Sequence, residues 1–488
     1  LITSCQQPEE HDTKQVFRLN IYNDPTTLDP RKIDEIISET ISNMLYEGLT
    51  RIGPDGTPQP AMAKNIKISN DKKTYTFTLR DSMWTDGTPV TAHDFAYSWT
   101  SSLQPTFPAN LAFHLYPIKN AKEMKLGNGQ IEVDIIDDYT FSVTLEHPTP
   151  YFLELISSFN YFPSKNDTTI TNGPFMISSW LPGREMILTK NPFYWDADSV
   201  HLDTIIMPIV PDDNTELNMF DKGELDWAGD PMSKLPIDAR QRLQAEGILH
   251  TIPVNGIYWF YINTQRFPLN NIKIRRALAM AINRKNIIEH ITQIDNTPAT
   301  GIIPTHSYFT DGDVTEARRL LNEALKEMNI DSLPPITIST DSSNTNQKIV
   351  QAIQQQWHDA LDVNVLIDVA DWKVHLDKIG NLNYSIARLG WFAAYNDPMA
   401  FLELYKYSDN NTSWHNQTYI NLLDAADATA NQHQRQHLLQ QAEQLLIDEM
   451  PVIPIFYQTL GYVKKDYVTN AFITSLGKLE LKWAEIKK

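Results

Sequence analysis

From Val16 to Tyr22 the chain reads VFRLNIY, with apolar and polar side chains in alternation; a period of two puts every second residue on one face and predicts a strand. After the turn Asn23-Asp24-Pro25 and a second proline at Pro30 the period lengthens. Ile37, Ile41, Met44, Leu45 and Leu49 recur at helical spacing between Ile36 and Leu49, with Gly48 as the expected stop. GPDG, Gly53 to Gly56, marks a turn. TYTFTLR, Thr74 to Arg80, alternates strictly with Tyr75, Phe77 and Leu79 on one face, and YTFSVTL, Tyr139 to Leu145, repeats the device with Phe141, Val143 and Leu145.

Near Asn160 the pattern changes. YFPSKNDTTITNGPFMISSW carries two prolines and a TNG turn among short strand-like runs, which marks a crossing between lobes, and TIPVNGIYWFYIN, Thr251 to Asn263, marks another. Beyond it helices and strands alternate. Helices are expected over Arg275 to Thr292, over Thr315 to Met328 with Thr315 as the cap, and over Thr345 to Leu361, the last followed by the strand VNVLIDVA, Val363 to Ala370. Helix followed by buried strand implies an α/β lobe. One long helix is expected from Tyr419 to about Met450, then PVIPIFY and a terminal segment of strand and coil returning to the first lobe.

Composition narrows the function classes. A chain of 488 residues is about three domain lengths and calls for two or three lobes. A formal net charge of −19 repels phosphates, which sets nucleic acid aside. Eleven Trp and twenty Tyr suit both cores and ligand cavities. The single cysteine, Cys5, closes LITSC, which resembles the end of a signal peptide with a lipobox, and QQPEEHDTKQ after it would serve as a tether; a cysteine placed there by chance is the alternative. No stretch approaches eighteen uninterrupted apolar residues.

Enzyme motifs are missing: the sequence has no GxSxG, HExxH, GxxxxGK[ST] or CxxC. His433 and His437 stand four apart on an expected helix, a metal-ligand spacing, but NQHQRQH is so polar that it reads as a solvated face and no metal site is assigned. Asp24 could hold a ligand's cation or close an Asx turn. Arg388, in YSIARLGW, could take a carboxylate with its guanidinium fork or join a structural ion pair. GWFAAYNDP, Gly390 to Pro398, places an apolar aromatic loop in an acidic chain.

KTYTFTLRDSMWTDGTPVTAHDFAYSW, Lys73 to Trp99, resembles the signature of the extracellular solute-binding proteins that serve oligopeptide and dipeptide ABC importers. TTLDP, LYEGL, TNGPF, NPFYWD, KGELDW, RRALAMAINR and GWFAAYNDP follow in the family's order, so the resemblance covers nearly the whole chain from Val16. It implies an α/β fold of the periplasmic-binding-protein type II-like kind, with two lobes, hinge crossing strands and an extra subdomain in the first lobe. The expected division is a signal remnant and tether at 1–15, lobe I at 16–36, 161–252 and 461–488, the extra subdomain at 37–160, and lobe II at 253–460. It implies a monomer with no cofactor and no enzymatic activity, holding an oligopeptide ligand in the interlobe cleft and passing it to an ABC importer permease, with a membrane anchor through lipid on Cys5.

By the same resemblance Trp259, Trp372 and Trp391 line side-chain pockets, the backbone at Gly390 pairs with the ligand, Arg388 receives a carboxylate, Asp24 is an acid near the peptide and Asn410 is a polar contact. Ala394 falls where oligopeptide-binding relatives carry an aspartate for the ligand's α-ammonium; Asp230 and Asp397 are possible substitutes, or the cargo lacks a free amine, as a cell-wall peptide, metal chelate or oligosaccharide would allow. Gly256 and Phe392 fall where some relatives carry a disulfide. A peptide hydrolase is the remote alternative.

Overall fold

Strict alternation builds the first sheet. In the computed structural model, which describes residues 14–304, 306–407, 410–429 and 431–487, Thr74–Leu79 buries Tyr75, Phe77 and Leu79 and turns the intervening threonines outward. It pairs antiparallel with Ala63–Ile68 and Thr140–Thr144, and Val133–Asp137 completes four strands. Phe77 lies 5.4 Å from Phe141, and Trp99 seals the same layer. The signature stretch is a structural device beside this sheet. Gly87 takes φ +80° in its Asp-Gly-Thr-Pro turn, and Asp94 accepts from the Thr91 N–H at 2.7 Å and the Trp84 indole at 3.3 Å, tying turn to helix start. Cys5 lies outside the described residues.

A second four-stranded sheet has the order Val16–Arg18, Thr204–Pro208, Glu185–Lys190, Phe175–Leu181, its first pair parallel and the rest antiparallel. The largest sheet has seven strands. Its path runs Trp227–Gly229, Val452–Lys464, His250–Ile262, Ile386–Phe392, Ile336–Asp341, Val365–Ala370, with Thr297–Pro298 added on Val452–Lys464. Two antiparallel strands of 13 residues each, His250–Ile262 and Val452–Lys464, form its spine. The expected boundaries at 252/253 and 460/461 fall inside these strands. The terminal segment returns to the first part of the chain through Lys478–Glu39 at 2.7 Å, Arg51–Glu480 at 2.7 Å and Lys482–Asp196 at 2.8 Å. Among the described residues no helix is long and apolar enough to cross a membrane.

Several expected boundaries move. The helix expected over Arg275 to Thr292 is broken into Ile272–Met280 and Arg284–Ile287, followed by a wider turn over Ile288–Thr292, because the Asn283 side chain caps a new start by accepting from the Asn286 N–H at 2.8 Å. The next helix, Val314–Met328, is capped by Asp313 and not Thr315. The long helix expected to Met450 is two, Gln417–Ala428 and Gln432–Glu449, the second capped by Asn431.

Gly256 and Phe392 sit directly opposite each other in the sheet. The Phe392 ring covers both Gly256 and Gly477, where an added Cβ would stand 2.8 Å and 2.7 Å from Phe392 Cδ1. Aromatic bulk thus fills the place where the resemblance leads one to expect a cross-link. Gly256→Ala is expected to destabilise the fold by about 1–3 kcal/mol through overpacking. Urea denaturation checks it, and the cost should be less than additive in the Gly256→Ala/Phe392→Ala double variant.

Candidate functional site

Strand Ile386–Phe392 is paired along one side by His250–Ile262 over its full length, but along the other side Ile336–Asp341 reaches it only at Ile386 and Ala387. From Arg388 to Phe392 that second edge carries no strand. Antiparallel ladders alternate the direction of their backbone groups. Here the phase is fixed by the Ala393 N–H on the Asn255 carbonyl at 2.8 Å and the Asn263 N–H on the Ser385 carbonyl at 3.0 Å. Arg388 and Gly390 therefore turn N–H and C=O toward the open edge. His375 Nε2 meets the Arg388 carbonyl at 2.7 Å, and Gly390 is left facing a cavity of about 210 Å³.

Two walls enclose that cavity. One is the Arg388–Phe392 edge with Trp372 and Ala394; the other comes from Asp34, Glu35, Ile36 and Glu39 at the start of helix Ile36–Leu45, with His114 and Asp230. It continues past Trp372 and Arg388 into a second hollow of about 140 Å³ that reaches Asp341 and Tyr22. On its sheet side the joined hollow is lined by Trp372, Trp391 and Phe392 together with Arg388, Leu389 and Gly390.

Arg388 is already engaged. Its Nη1 lies 2.8 Å from Asp341 Oδ2, and its guanidinium carbon sits 5.0 Å from the Tyr258 ring centroid and 5.9 Å from that of Trp372. Burial opposes both charges, yet each partner outweighs it: Asp341 is held below the usual carboxylate range and Arg388 above the usual guanidinium value. Arg388 Nε is buried with no partner, one donor left over. Both readings of Arg388 from the sequence thus remain compatible, since an ion pair on one edge of the fork leaves the other edge free.

The remaining expected residues divide. Trp391 lines the cavity and donates its indole N–H to the Ala400 carbonyl at 2.9 Å; Gly390, Trp372 and Ala394 line it too. Trp259 does not: strand alternation turns it to the opposite face from Tyr258, where it is fully buried against Tyr261 and Tyr405. Asn410 is buried in its own loop, donating to the Tyr407 and Trp414 carbonyls at 2.7 Å each and accepting from the Thr412 hydroxyl at 2.6 Å. Asp24 accepts from the Trp180 indole at 2.8 Å and the Gly183 N–H at 2.7 Å, which pins it to the Phe175–Lys190 hairpin. None of these three lines the hollow in this conformation.

Of the acids considered for the position near Ala394, Asp397 is held bidentate by Arg435 at 2.7 and 2.9 Å, and Asp230 lines the cavity but pairs with Lys234. Sequence reasoning missed Asp34 and Glu35. Glu35 caps the first helix, accepting from the Ile37 and Ser38 N–H groups at 2.7 Å each, and burial pushes its carboxyl and that of Asp34 up. An acid just ahead of a helical period was the available signal. His114 had none. His433 and His437 share a surface cavity with His306, but among the described residues no group of three His, Cys, Asp or Glu is placed to hold a metal.

His114, which shares the cavity wall with Ala394, faces Glu403, Nε2 to Oε1, at 3.6 Å, both buried. Burial raises the Glu403 carboxyl to about 8 and lowers the His114 imidazole to about 4. Between pH 6.5, where unfolded histidine is half deprotonated, and pH 8, folded Glu403 keeps a proton that the unfolded chain has released, and Glu216, which burial pushes up to about 7, does the same over the lower part of that range, so stability falls as pH rises through the window. Below it, His114, protonated only when unfolded, offsets the trend. The share of that slope due to Glu403 is at most about 1.4 kcal/mol per pH unit. Glu403→Gln is expected to flatten it, as urea unfolding at steps across that range would read.

Comparison with known proteins agrees with this architecture. The model of the bacterial extracellular solute-binding proteins, family 5, matches residues 57–413. The chain is 37% identical to the oligopeptide-binding protein OppA of Bacillus subtilis, over 97% of this chain and 93% of that one. It superimposes on the periplasmic oligopeptide-binding protein OppAIV of Borrelia burgdorferi with a TM-score of 0.91 at 27% identity, covering 97% of this chain and 100% of the other. The murein tripeptide-binding protein MppA of Escherichia coli, 26% identical in one structure, gives a TM-score of 0.90 over 97% of this chain and 99% of its own, whereas its unliganded open form gives 0.68 over 97% of each. With a family model across most of its length and a relative this similar end to end, the chain belongs to the bacterial extracellular solute-binding proteins of family 5.

Proposed function

We propose that the protein is an extracytoplasmic receptor that captures oligopeptides in the hollow between its lobes and delivers them to an ABC importer. The observation that carries this reading is the open backbone edge at Gly390, enclosed by aromatic walls. An extended peptide added there pairs through amide groups common to all sequences, while its side chains enter roomy pockets; affinity is thereby separated from sequence. Arg388 Nε supplies a donor for a ligand carboxylate, and Trp372 and Trp391 form pocket walls. Names among the relatives, oligopeptide-binding and dipeptide-binding, support the cargo class.

In the same reading the lobes divide as the sequence suggests, with the two 13-residue strands as the hinge. Ligand touching both walls favours the closed form, which docks on the permease. Lipid on Cys5 would hold the monomer at a membrane surface while the cleft works in water. The uncharged Ala394 favours a second reading, a cargo without a free amine such as a cell-wall peptide, a metal chelate or an oligosaccharide.

Backbone recognition has a direct test. Titrating tripeptides by calorimetry, single side-chain changes are expected to alter affinity only a few-fold. Methylating one central amide nitrogen is expected to weaken binding by on the order of tenfold, the scale of one lost hydrogen bond. Strong dependence on side chain with indifference to N-methylation would refute the open-edge mechanism. Peptide incubated with the protein should be recovered intact, which separates a receptor from a hydrolase.

A further inference from the structure

Resting on the peptide-binding reading, we propose that the ligand's amino group is seated against His114 Nε2 with Glu403 as its counter-charge, in the space that the small side chain of Ala394 leaves open.

The tautomer of His114 is fixed by its neighbour. His114 Nδ1 lies 2.9 Å from Asn160 Oδ1, an oxygen that only accepts, while the Asn160 amide nitrogen points to the Leu111 carbonyl at 3.4 Å. Nδ1 therefore carries the hydrogen, and Nε2 presents a bare lone pair. That atom is buried and has no hydrogen-bond partner, and the residue is 2% exposed on the wall of the cavity that Ala394 and Trp391 also line. A buried acceptor without a donor costs free energy that a ligand N–H recovers.

The second observation is the acid behind it, which lines a neighbouring cavity with Phe113, Lys406 and Tyr407 and reaches the first one only through His114. Glu403 Oε1 stands 3.6 Å from His114 Nε2 and accepts from the Tyr395 hydroxyl at 2.8 Å. No lysine or arginine pairs with it among the described residues. Lys406 is committed to Asp424 and Asp427 at 2.9 and 3.0 Å, and Arg435 to Asp397. Glu403 is thus a buried carboxyl that lacks a cation, next to an acceptor that lacks a donor. Phe113, 4.5 Å from the His114 ring, and Trp391, at 6.3 Å, add aromatic surface of the kind that attracts ammonium groups. Burial, together with Asp427 and Asp397, pushes the Glu403 carboxyl up to about 8 in the empty protein, against the pull of Lys406 and the Tyr395 hydroxyl. An arriving ammonium reverses the balance: Glu403 releases its proton to solvent and becomes the counter-ion. The charge that the resemblance places at the position of Ala394 is supplied instead from the turn Glu403–Tyr405.

The test compares tri-alanine with N-acetyl-tri-alanine by calorimetry on the full chain, for the wild type, Glu403→Gln and Glu403→Gln/Ala394→Asp. The wild type is expected to favour the free amine by on the order of tenfold to a hundredfold, the scale of a charge-assisted hydrogen bond. Glu403→Gln should lose that preference with the acetylated peptide unaffected, and the double variant should regain it. Titrations in buffers of different ionisation enthalpy should show proton release at neutral pH for the free tripeptide alone. If Glu403→Gln does not fold, judged by circular dichroism, His114→Phe carries the same comparison. Equal affinity of the two peptides for the wild type, or undiminished preference in the variant, would overturn the amine seat while leaving peptide capture standing. Failure of both peptides to bind the wild type would instead bring down the peptide reading beneath it.

Discussion

The placement of the sheet-side groups of the cleft follows from one backbone constraint, the antiparallel pairing of His250–Ile262 with Val452–Lys464. These strands carry Ile386–Phe392 on one flank and Trp227–Gly229 on the other, and Trp227 bridges to Leu19 beside the second sheet, so the floor of the hollow and the link toward that sheet share one hydrogen-bonded ladder. Because the side-chain period of a strand is two, fixing the register also fixes which residues see the ligand space. Tyr258 and Arg388 take one face and Trp259 the other. A shift of one residue would exchange them.

Charge in the hollow is arranged so that little of it is spare. Arg388 is neutralised by Asp341, Asp230 by Lys234 and Glu39 by Lys478, which removes three of the strongest fields from the cavity. A receptor that accepts many sequences needs this economy, since an unpaired buried charge would select ligands by side chain. What remains free is a small set of groups, Arg388 Nε, the backbone at Gly390 and His114 Nε2, and all suit features that peptides share.

Much of the architecture was legible because periodicity reports burial directly. Thr74–Leu79 and Asn344–Leu361 lie where their patterns place them. The failures have a common cause. The helices expected over Arg275 to Thr292 and Tyr419 to Met450 keep an apolar period across their breaks, and only asparagine caps at Asn283 and Asn431 divide them. At the site, Arg388 to Ala394 could be read as a unit because it is contiguous, whereas the opposite wall is assembled from Asp34, Glu35, His114 and Asp230, far apart in sequence. Trp259 illustrates a different limit. Composition marks a tryptophan as fit for a core or a pocket, and only register decides between them.

Gly256 and Phe392, directly opposed across the ladder, hold the open edge by packing and not by a covalent link. A disulfide between directly opposed strands would tie the open edge covalently near Gly390. Here the Phe392 ring spans Gly256 and Gly477 instead, reaching from the seven-stranded sheet to the terminal segment that contacts the first helix through Lys478 and Glu39. Packing of that kind restrains position without fixing it, since a ring can slide against two glycines where a covalent bond cannot. The edge that leaves Gly390 without a strand partner is therefore packed, through one aromatic side chain, against a segment that also touches the opposite wall.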